Sequence, residues 1–222
     1  MDATEIKLDW ASFEAIKFAC LNWHYSKSVP AGKLVKIGVW EDGEYKGCIL
    51  YGRGANNNLG KPYGLSQAEC CELVRIALRD HKTPVSRLIA ISISMLKKQS
   101  PGLKLVVSYA DEAQLHLGKV YQASNWIYTG HTASESAIDP KTGEVKHIRS
   151  LISKYGSIAG FKRVKDKPKH RYLMPLNSET RKAVLSLQRK YPKSVISAAA
   201  STSGFQLESD GSTPIMTHTA QV

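Results

Sequence analysis

The fold is decided by residues 71–109, CELVRIALRDHKTPVSRLIAISISMLKKQSPGLKLVVSY. The first eight residues are mostly apolar and predict a central strand, and the last seven, 103–109, predict a second buried strand. Between them, Thr83 and Pro84 predict an N-cap followed by proline at the first position of a helix that runs to about Gln99. Nearly all of this helix is apolar, so we expect it to be buried.

The segments on either side predict antiparallel strands and further helices. Asp42 and Gly43 predict a hairpin turn. The other predicted elements are a helix in 4–28 that ends before His24, strands at 34–40 and 45–51, a helix at 118–124, strands at 126–130 and 169–176, and a helix at 180–190. A strand–helix–strand unit flanked by antiparallel strands indicates an α+β fold, with one mixed sheet flanked by helices.

The positive charge is concentrated in one segment. The chain has 222 residues and a net charge of +12, and residues 141–193 contain 15 Lys/Arg against 3 Asp/Glu. An excess this local favours a polyanion as partner, and nucleic acid over membrane, because the segment contains no long amphipathic helix. We expect one domain over residues 1–193, with 141–193 as its basic segment, and a disordered tail at 194–222, which has ten Ser/Thr and only two charged residues.

Several functional classes lack their sequence signature. There is no apolar run long enough for a transmembrane helix, no signal peptide, no GxGxxG and no P-loop. The histidines have no HxxxH or HxH spacing, so no metal site is predicted from neighbouring residues, although ligands distant in sequence stay open. The cysteines have no paired CxxC spacing and are interpreted as reduced thiols.

Four short motifs carry a resemblance to a known family. They are NWHYSKSVP at 22–30, ELVR at 72–75, SYAD at 108–111 and GKVYQASNW at 118–126. Together they resemble the Mom DNA-modification proteins of Mu-like phages, over about residues 5–176, and residues 71–130 resemble the core of the GNAT acyltransferase fold. The resemblance implies a GNAT-like mixed sheet flanked by helices and a transferase that acts on DNA.

The resemblance also directs attention to candidate catalytic residues. Asp111 follows the strand 103–109, where it could act as a general base or orient a nucleophile; the alternative is that it caps the next segment. Tyr121 corresponds to the tyrosine that protonates the departing thiolate in GNAT enzymes; the alternative is a core tyrosine. Ser108 and Tyr109 alternate along a strand, so at most one of them should face the site.

A second group of residues suits substrate binding. His24, Tyr25 and Lys27 form a polar cluster that could bind a base edge, a phosphate or a metal, although a helix end also favours His and Lys. Arg75 lies within an apolar strand and needs an anionic partner, for which a substrate phosphate or Asp111 are the candidates. Glu72 lies three positions before Arg75, so regular alternation along the strand places their side chains on opposite faces.

The turn that cradles the pyrophosphate of CoA in GNAT proteins corresponds here to residues 79–86, which include no glycine. Acetyl-CoA or a related acyl-CoA is expected as cofactor, with contacts from the residues around the helix N-terminus, and the alternative is a simple helix cap. These contacts are Lys82, Thr83, Val85, Ser86 and Arg87.

The resemblance implies conversion of adenine in DNA to N6-(carbamoylmethyl)adenine, which protects phage DNA from host restriction in the host cytoplasm. Acetyl-CoA supplies neither the second nitrogen nor an electrophilic methyl carbon, so a different donor, or a redox step with a metal such as iron, stays open. The phosphates of double-stranded DNA are expected at Lys162, Arg163, Lys165 and Lys167. The alternatives are an N-acetyltransferase acting on a protein or small amine and a non-catalytic DNA-binding protein; a homodimer is also open.

Overall fold

The predicted strand–helix–strand unit is the centre of a seven-stranded mixed sheet. The computed structural model describes residues 4–54, 57–132 and 135–193. The strands of this sheet are β1 (Ile6–Trp10), β2 (Leu34–Glu41), β3 (Glu44–Gly52), β4 (Cys70–Leu78), β5 (Leu105–Asp111), β6 (Ile127–Thr132) and β10 (Lys169–Pro175). Their order is β1-β2-β3-β4-β5-β10-β6, and only the β4–β5 pair is parallel. The predicted α+β class, a mixed sheet flanked by helices, is confirmed.

Helices cover both faces of the sheet, because alternate strand residues present apolar side chains to each side. The helices of the main unit are α1 (Phe13–Trp23), α2 (Val85–Gln99), α3 (Lys119–Gln122) and α5 (Ser178–Leu185). On one face, Leu88, Ile93 and Leu96 of α2 pack in the same cluster as Tyr121 of α3. On the other face, α1 packs against β3 and β4, and Val184 of α5 packs in a cluster with residues of β5, β6 and β10.

A small second sheet lies in the chain between β6 and β10. Its strands are β7 (Glu135–Ile138), β8 (Val145–His147) and β9 (Arg163–Lys165), in the order β8-β7-β9, and helix α4 (Ile148–Tyr155) follows β8. The Asp139 side chain is fully buried here and accepts hydrogen bonds from Lys154 Nζ at 2.9 Å, Tyr155 Oη at 2.7 Å and the Lys141 backbone N–H at 3.0 Å. The part of the chain from β8 to β9 belongs to the first half of the basic segment, and this small sheet was not predicted.

Several predicted boundaries were wrong. Residues 4–28 are not one helix, since β1 precedes α1 and pairs with β2. The N-cap of α2 is Pro84, without a side-chain hydrogen bond, so Thr83 does not cap this helix. Gly118 is the N-cap of α3 at a φ of 71°, and α5 ends at Leu185, five residues before the predicted end.

Residues up to Tyr191 cluster as one unit. The predicted disordered tail, 194–222, lies outside the described residues. Among the helices of the described residues, none combines the length and apolarity that a membrane span requires.

Candidate functional site

A cavity of about 800 Å³ opens beside the point where β4 and β5 stop pairing. The parallel ladder extends from Cys70↔Leu105 to Leu73↔Ser108, although both strands continue beyond it. The charged and aromatic residues that line the cavity are Tyr25, Tyr63, Glu72, Arg75, Tyr109, Asp111, His147, Asp166, Lys167, Lys169 and Arg171. The predicted residues Tyr25, Arg75, Asp111 and Lys167 are therefore brought together.

A β-bulge in β4 determines which of its residues face the cavity. Leu50 of β3 pairs with Arg75 and Tyr51 pairs with Leu73, so Val74 is an extra residue in the ladder. The extra residue shifts the side-chain alternation by one. Glu72 and Arg75 consequently line the same cavity, and the prediction that Glu72 could not share the face of Arg75 was wrong.

Arg75 connects the cavity to the loop after α1. Its Nη1 donates to the backbone carbonyl of Ser28. Its Nε is buried and has no hydrogen-bond partner within residues 4–54, 57–132 and 135–193. In this same part of the chain it forms no ion pair with Asp111, which was one of its two predicted partners.

Asp111 caps the next segment, which was the alternative to its predicted catalytic role, and it also lines the cavity. Its Oδ1 accepts the backbone N–H of Ala113 at 2.9 Å, so it caps the short 3-10 turn Glu112–Gln114. Its Oδ2 lies 3.8 Å from Lys169 Nζ, and the carboxylate lines the cavity. It is thus a cap that also presents a carboxylate oxygen to the cavity.

Ser108 and Tyr121 lie on the opposite face of the sheet from Tyr109 and Asp111. Ser108 Oγ is 2.9 Å from the Leu73 carbonyl and 2.8 Å from the Tyr121 hydroxyl. Burial raises the pKa of Tyr121 to about 12, against the effect of the Ser108 hydrogen bond. Neither Ser108 nor Tyr121 is among the residues that line the cavity, so the structure separates Tyr121 from Asp111 and Arg75.

The alternation predicted for β5 is confirmed, with Tyr109 and not Ser108 facing the cavity. Burial, together with the nearby Tyr63 and Glu72, raises the pKa of Tyr109 to about 12. Tyr109 is therefore protonated at neutral pH. It offers the cavity a hydroxyl donor and a ring face.

The cluster after α1 separates into different roles. The Tyr25 ring is 49% exposed, stacks on His24 with centroids 4.2 Å apart, and lines the cavity. Burial lowers the pKa of His24 to about 4, helped by the positive charges of Arg75, His116 and Lys27, so His24 is neutral at pH 7. Lys27 Nζ donates to the Asn22 carbonyl at 2.7 Å, which matches the alternative of a helix-end contact.

The turn before α2 contains a buried carboxylate. Glu41 is 2% exposed and accepts the backbone N–H groups of Lys82 at 2.7 Å and Thr83 at 2.8 Å. Burial would raise the pKa of Glu41, but the hydrogen bonds from Thr83 and Lys82 outweigh it and lower that pKa. The first turn of α2, at Val85 and Ser86, has no side-chain cap. Its N–H groups and Arg87 fit a phosphate group, whereas the preceding turn is already filled by Glu41.

The basic segment supplies one side of the cavity. Lys162, Lys165 and Lys167 are exposed, and Lys167 lines the cavity together with Lys169. Arg163 is 3.3 Å from Glu135 in an ion pair. The sequence analysis did not predict Lys169 and Arg171 as cavity residues. Their position two residues apart on a predicted strand, which places both side chains on one face, was the available signal.

Within the described ranges, no three His, Cys, Asp or Glu side chains are grouped closely enough to hold a metal ion.

The chain is similar to known proteins in sequence and in overall arrangement. A profile of the Mom protein family matches residues 5–193. The chain is 27% identical over 186 residues to methylcarbamoylase Mom of Escherichia phage Mu, and the match covers 77% of this chain and 76% of that protein. Similar solved structures include an aminoglycoside acetyltransferase in complex with coenzyme A and kanamycin, at 7% identity and a TM-score of 0.49, covering 82% of this chain and 98% of that one. Another is a spermidine/spermine N-acetyltransferase from Vibrio cholerae in complex with manganese ions, at 9% identity and a TM-score of 0.46, covering 82% and 96%.

Proposed function

Because the chain belongs to the Mom protein family, we propose that it modifies adenine in double-stranded phage DNA. The proposed product is N6-(carbamoylmethyl)adenine, which protects the DNA from restriction in the host cytoplasm. The observation that carries this proposal is the cavity of about 800 Å³, whose lining combines tyrosines, carboxylates and cations of the basic segment. Cavities of about 300–1,000 Å³ are typical of small-ligand sites.

Adenine N6 is paired in a duplex, so the base has to leave the stack before it reacts. A flipped base needs an aromatic surface, polar groups for its edge and cations for the flanking phosphates. Tyr25 and Tyr109 offer ring faces at the cavity, and Lys167 and Lys169 offer cations. Together these side chains match what a flipped nucleotide requires.

Asp111 is proposed to orient the reacting groups or to act as a base, and Tyr121, hydrogen-bonded to Ser108, as the acid for the leaving group. The raised pKa of Tyr121 keeps its proton in place at neutral pH. The two groups lie on opposite faces of the sheet, next to the end of the β4–β5 ladder. This separation suits a base that enters from one face and a donor that enters from the other.

An acyl-CoA is proposed at the start of α2, with its phosphates held by the N–H groups of Val85 and Ser86 and by the side chains of Lys82 and Arg87. When bound, it would supply a two-carbon unit, and because the product bonds N6 to a CH2 carbon, the activation of the methyl carbon comes from a separate source. Glu41 restricts this contact to the first turn of α2, because it already holds the amides of Lys82 and Thr83. The nitrogen of the carbamoylmethyl group comes from a separate source.

Mass spectrometry of nucleosides from the DNA of cells that express the protein tests this function. Wild type should give an adenine adduct with the mass of a carbamoylmethyl group. Asp111→Asn should reduce the adduct about 10²- to 10⁴-fold. The control Asp9→Asn changes a half-exposed aspartate of β1 whose partner is Lys7, and it should leave the adduct unchanged.

Two other outcomes would contradict the proposal. Unmodified DNA together with an acetylated protein or amine would indicate an ordinary N-acetyltransferase. DNA binding without any product would indicate a non-catalytic DNA-binding protein.

A further inference from the structure

We infer that two copies of this chain associate through the outer edge of β1, where the two β1 strands pair antiparallel about a two-fold axis at Leu8. Such an interface uses the same residues on both copies and closes on itself. None of the β1 residues lines the cavity, so the association is independent of the proposed function.

The two outer edges of the seven-stranded sheet differ in how they are covered. At the β6 edge, the Arg189 N–H donates to the Tyr128 carbonyl at 2.8 Å. Beside it, the Tyr191 hydroxyl donates to the Trp126 carbonyl at 2.7 Å, so residues after α5 cover this edge. At the β1 edge, no strand of the described part of the chain pairs on the outer side. An open strand edge is a template for a further strand.

The backbone groups of Ile6, Leu8 and Trp10 point toward the open edge. On the inner side, the Glu5 carbonyl accepts a hydrogen bond at 2.9 Å and the Ala11 N–H donates one at 3.0 Å, both to the hairpin that contains β2. Hydrogen-bonding direction alternates along a strand of an antiparallel ladder, so the odd-numbered residues of β1 bond inward and the even-numbered residues face outward. The outward groups can therefore form a second ladder with another strand.

The charges of β1 select one register for pairing with a second copy. When Leu8 lies opposite the partner's Leu8, Lys7 lies opposite the partner's Asp9 and Asp9 opposite the partner's Lys7. The smallest shift that keeps the outward groups paired is two residues, and it places either two Lys7 or two Asp9 side chains opposite each other. Opposite charges on facing positions stabilise strand pairing, and like charges destabilise it.

Lys7 and Asp9 can exchange their present contacts for contacts with a second copy. They form an ion pair with each other at 3.2 Å, with 67% and 47% of their side-chain surfaces exposed, and pairs this exposed contribute little to stability. Asp9 Oδ1 also accepts the Trp10 N–H at 2.8 Å, which occupies one of the outward groups. In the paired edge, the carbonyl of the partner's Ile6 accepts this N–H, and the Asp9 carboxylate faces the partner's Lys7.

Two exposed aromatic side chains add apolar area at the end of β1. Trp10 is 49% exposed, and Phe13, at the start of α1, is 51% exposed. The register places Trp10 opposite the partner's Ile6, which is partly buried and packs against the main core cluster. The ladder is thus flanked by apolar side chains at both ends, as an interface requires in addition to backbone hydrogen bonds.

Sedimentation velocity of the purified full-length protein at a series of concentrations gives the dissociation constant of the dimer. Lys7→Asp and Asp9→Lys each place like charges opposite each other at two positions, so each variant should raise this constant at least about tenfold. The control Lys33→Asp makes the same charge change as Lys7→Asp at an exposed loop position, and it should sediment like wild type. A wild type that stays monomeric at every concentration would overturn the inference.

Exchange of the two charges tests the register. The double variant with Lys7→Asp and Asp9→Lys should restore the wild-type dissociation constant, and an equimolar mixture of the two single variants should form mixed dimers. In both cases each aspartate faces a lysine again. Double variants and mixtures that stay monomeric, although their melting temperatures show folded protein, would overturn the register.

Hydrogen exchange of the backbone amides locates the interface. In wild type, the amides of Ile6 and Leu8 should become protected as the concentration rises through the dissociation constant, and in Lys7→Asp they should exchange rapidly throughout. A dimer in which these two amides exchange at the same rate as in the monomer would refute the assignment to β1. Adduct formation should be equal in all these variants, and a wild type without any adduct would contradict only the proposed function.

Discussion

Replacing Lys162, Lys165 and Lys167 together by glutamine should flatten the salt dependence of DNA binding. All three side chains are exposed and form no ion pair within the described ranges. Each phosphate contact contributes about −0.9 to the slope of log K against log salt, so three contacts contribute about −2.7. Between about 50 and 200 mM salt, wild type should therefore lose about 40-fold more affinity than the variant. Arg163 is left in place because its ion pair with Glu135 has to break before it can bind a phosphate.

The control variant replaces Lys17, Lys97 and Lys98, which are exposed on α1 and α2. Both triple variants lower the formal net charge from +12 to +9, so they differ only in where the charge is removed. Fluorescence anisotropy with a labelled duplex, titrated at several salt concentrations, gives the two slopes. A wild-type slope in the variant of Lys162, Lys165 and Lys167, or an equally flattened slope in the control variant, would refute the assignment of this segment to DNA binding.

Two further predictions concern buried polar groups. Tyr121→Phe removes a buried hydroxyl that is hydrogen-bonded to Ser108, and Tyr51→Phe removes one that is hydrogen-bonded to Ser92, so each variant should lower the free energy of unfolding in urea by about 1 kcal/mol. Only Tyr121→Phe should also reduce the adenine adduct. An equal reduction by Tyr51→Phe would contradict the role of Tyr121. The Lys154 hydrogen bond holds the pKa of Asp139 well below its usual range, so the stabilisation from Asp139 is present above about pH 3.9 and is lost as pH falls through the lowered pKa. Asp139→Asn should be less stable than wild type at neutral pH and should lose less of its free energy of unfolding on acidification. Parallel curves of stability against pH for the two proteins would contradict this.

The central part of the fold was predictable because its signals are local. The apolar runs of β4 and β5 and the apolar pattern of α2 belong to single elements, and α2 ends at Gln99 as expected. The spacing of Trp10, Phe13 and Ile16 was misleading, since it fits one helix although it spans the end of β1 and the start of α1. β1 is a strand and pairs with β2. The alternation of Ile6, Leu8 and Trp10 with charged residues was the available signal, and the three- and four-residue spacing masked it.

The small sheet could not be predicted for a related reason. Two of its strands, β8 and β9, have only three residues each, too few for an alternation to be recognised. The fully buried Asp139, which binds Lys154 and Tyr155, helps to hold α4 against these strands. In the sequence these residues are separated by about fifteen positions and appear only as part of a basic segment. Charge counting therefore located the segment but not its fold.

The candidate site shows how far the alternation of side chains can be used. In β5 the strand is regular, and alternation correctly separates Tyr109 from Ser108. In β4 the same rule fails, because Val74 is an extra residue that shifts the alternation between Glu72 and Arg75. No residue type in ELVR indicates a bulge, so the sequence directed attention to Asp111, a carboxylate already engaged by the Ala113 N–H. Glu72 was excluded from the face of Arg75 by alternation alone, and the bulge that shifts this alternation lies beside the point where the strands stop pairing and the cavity opens.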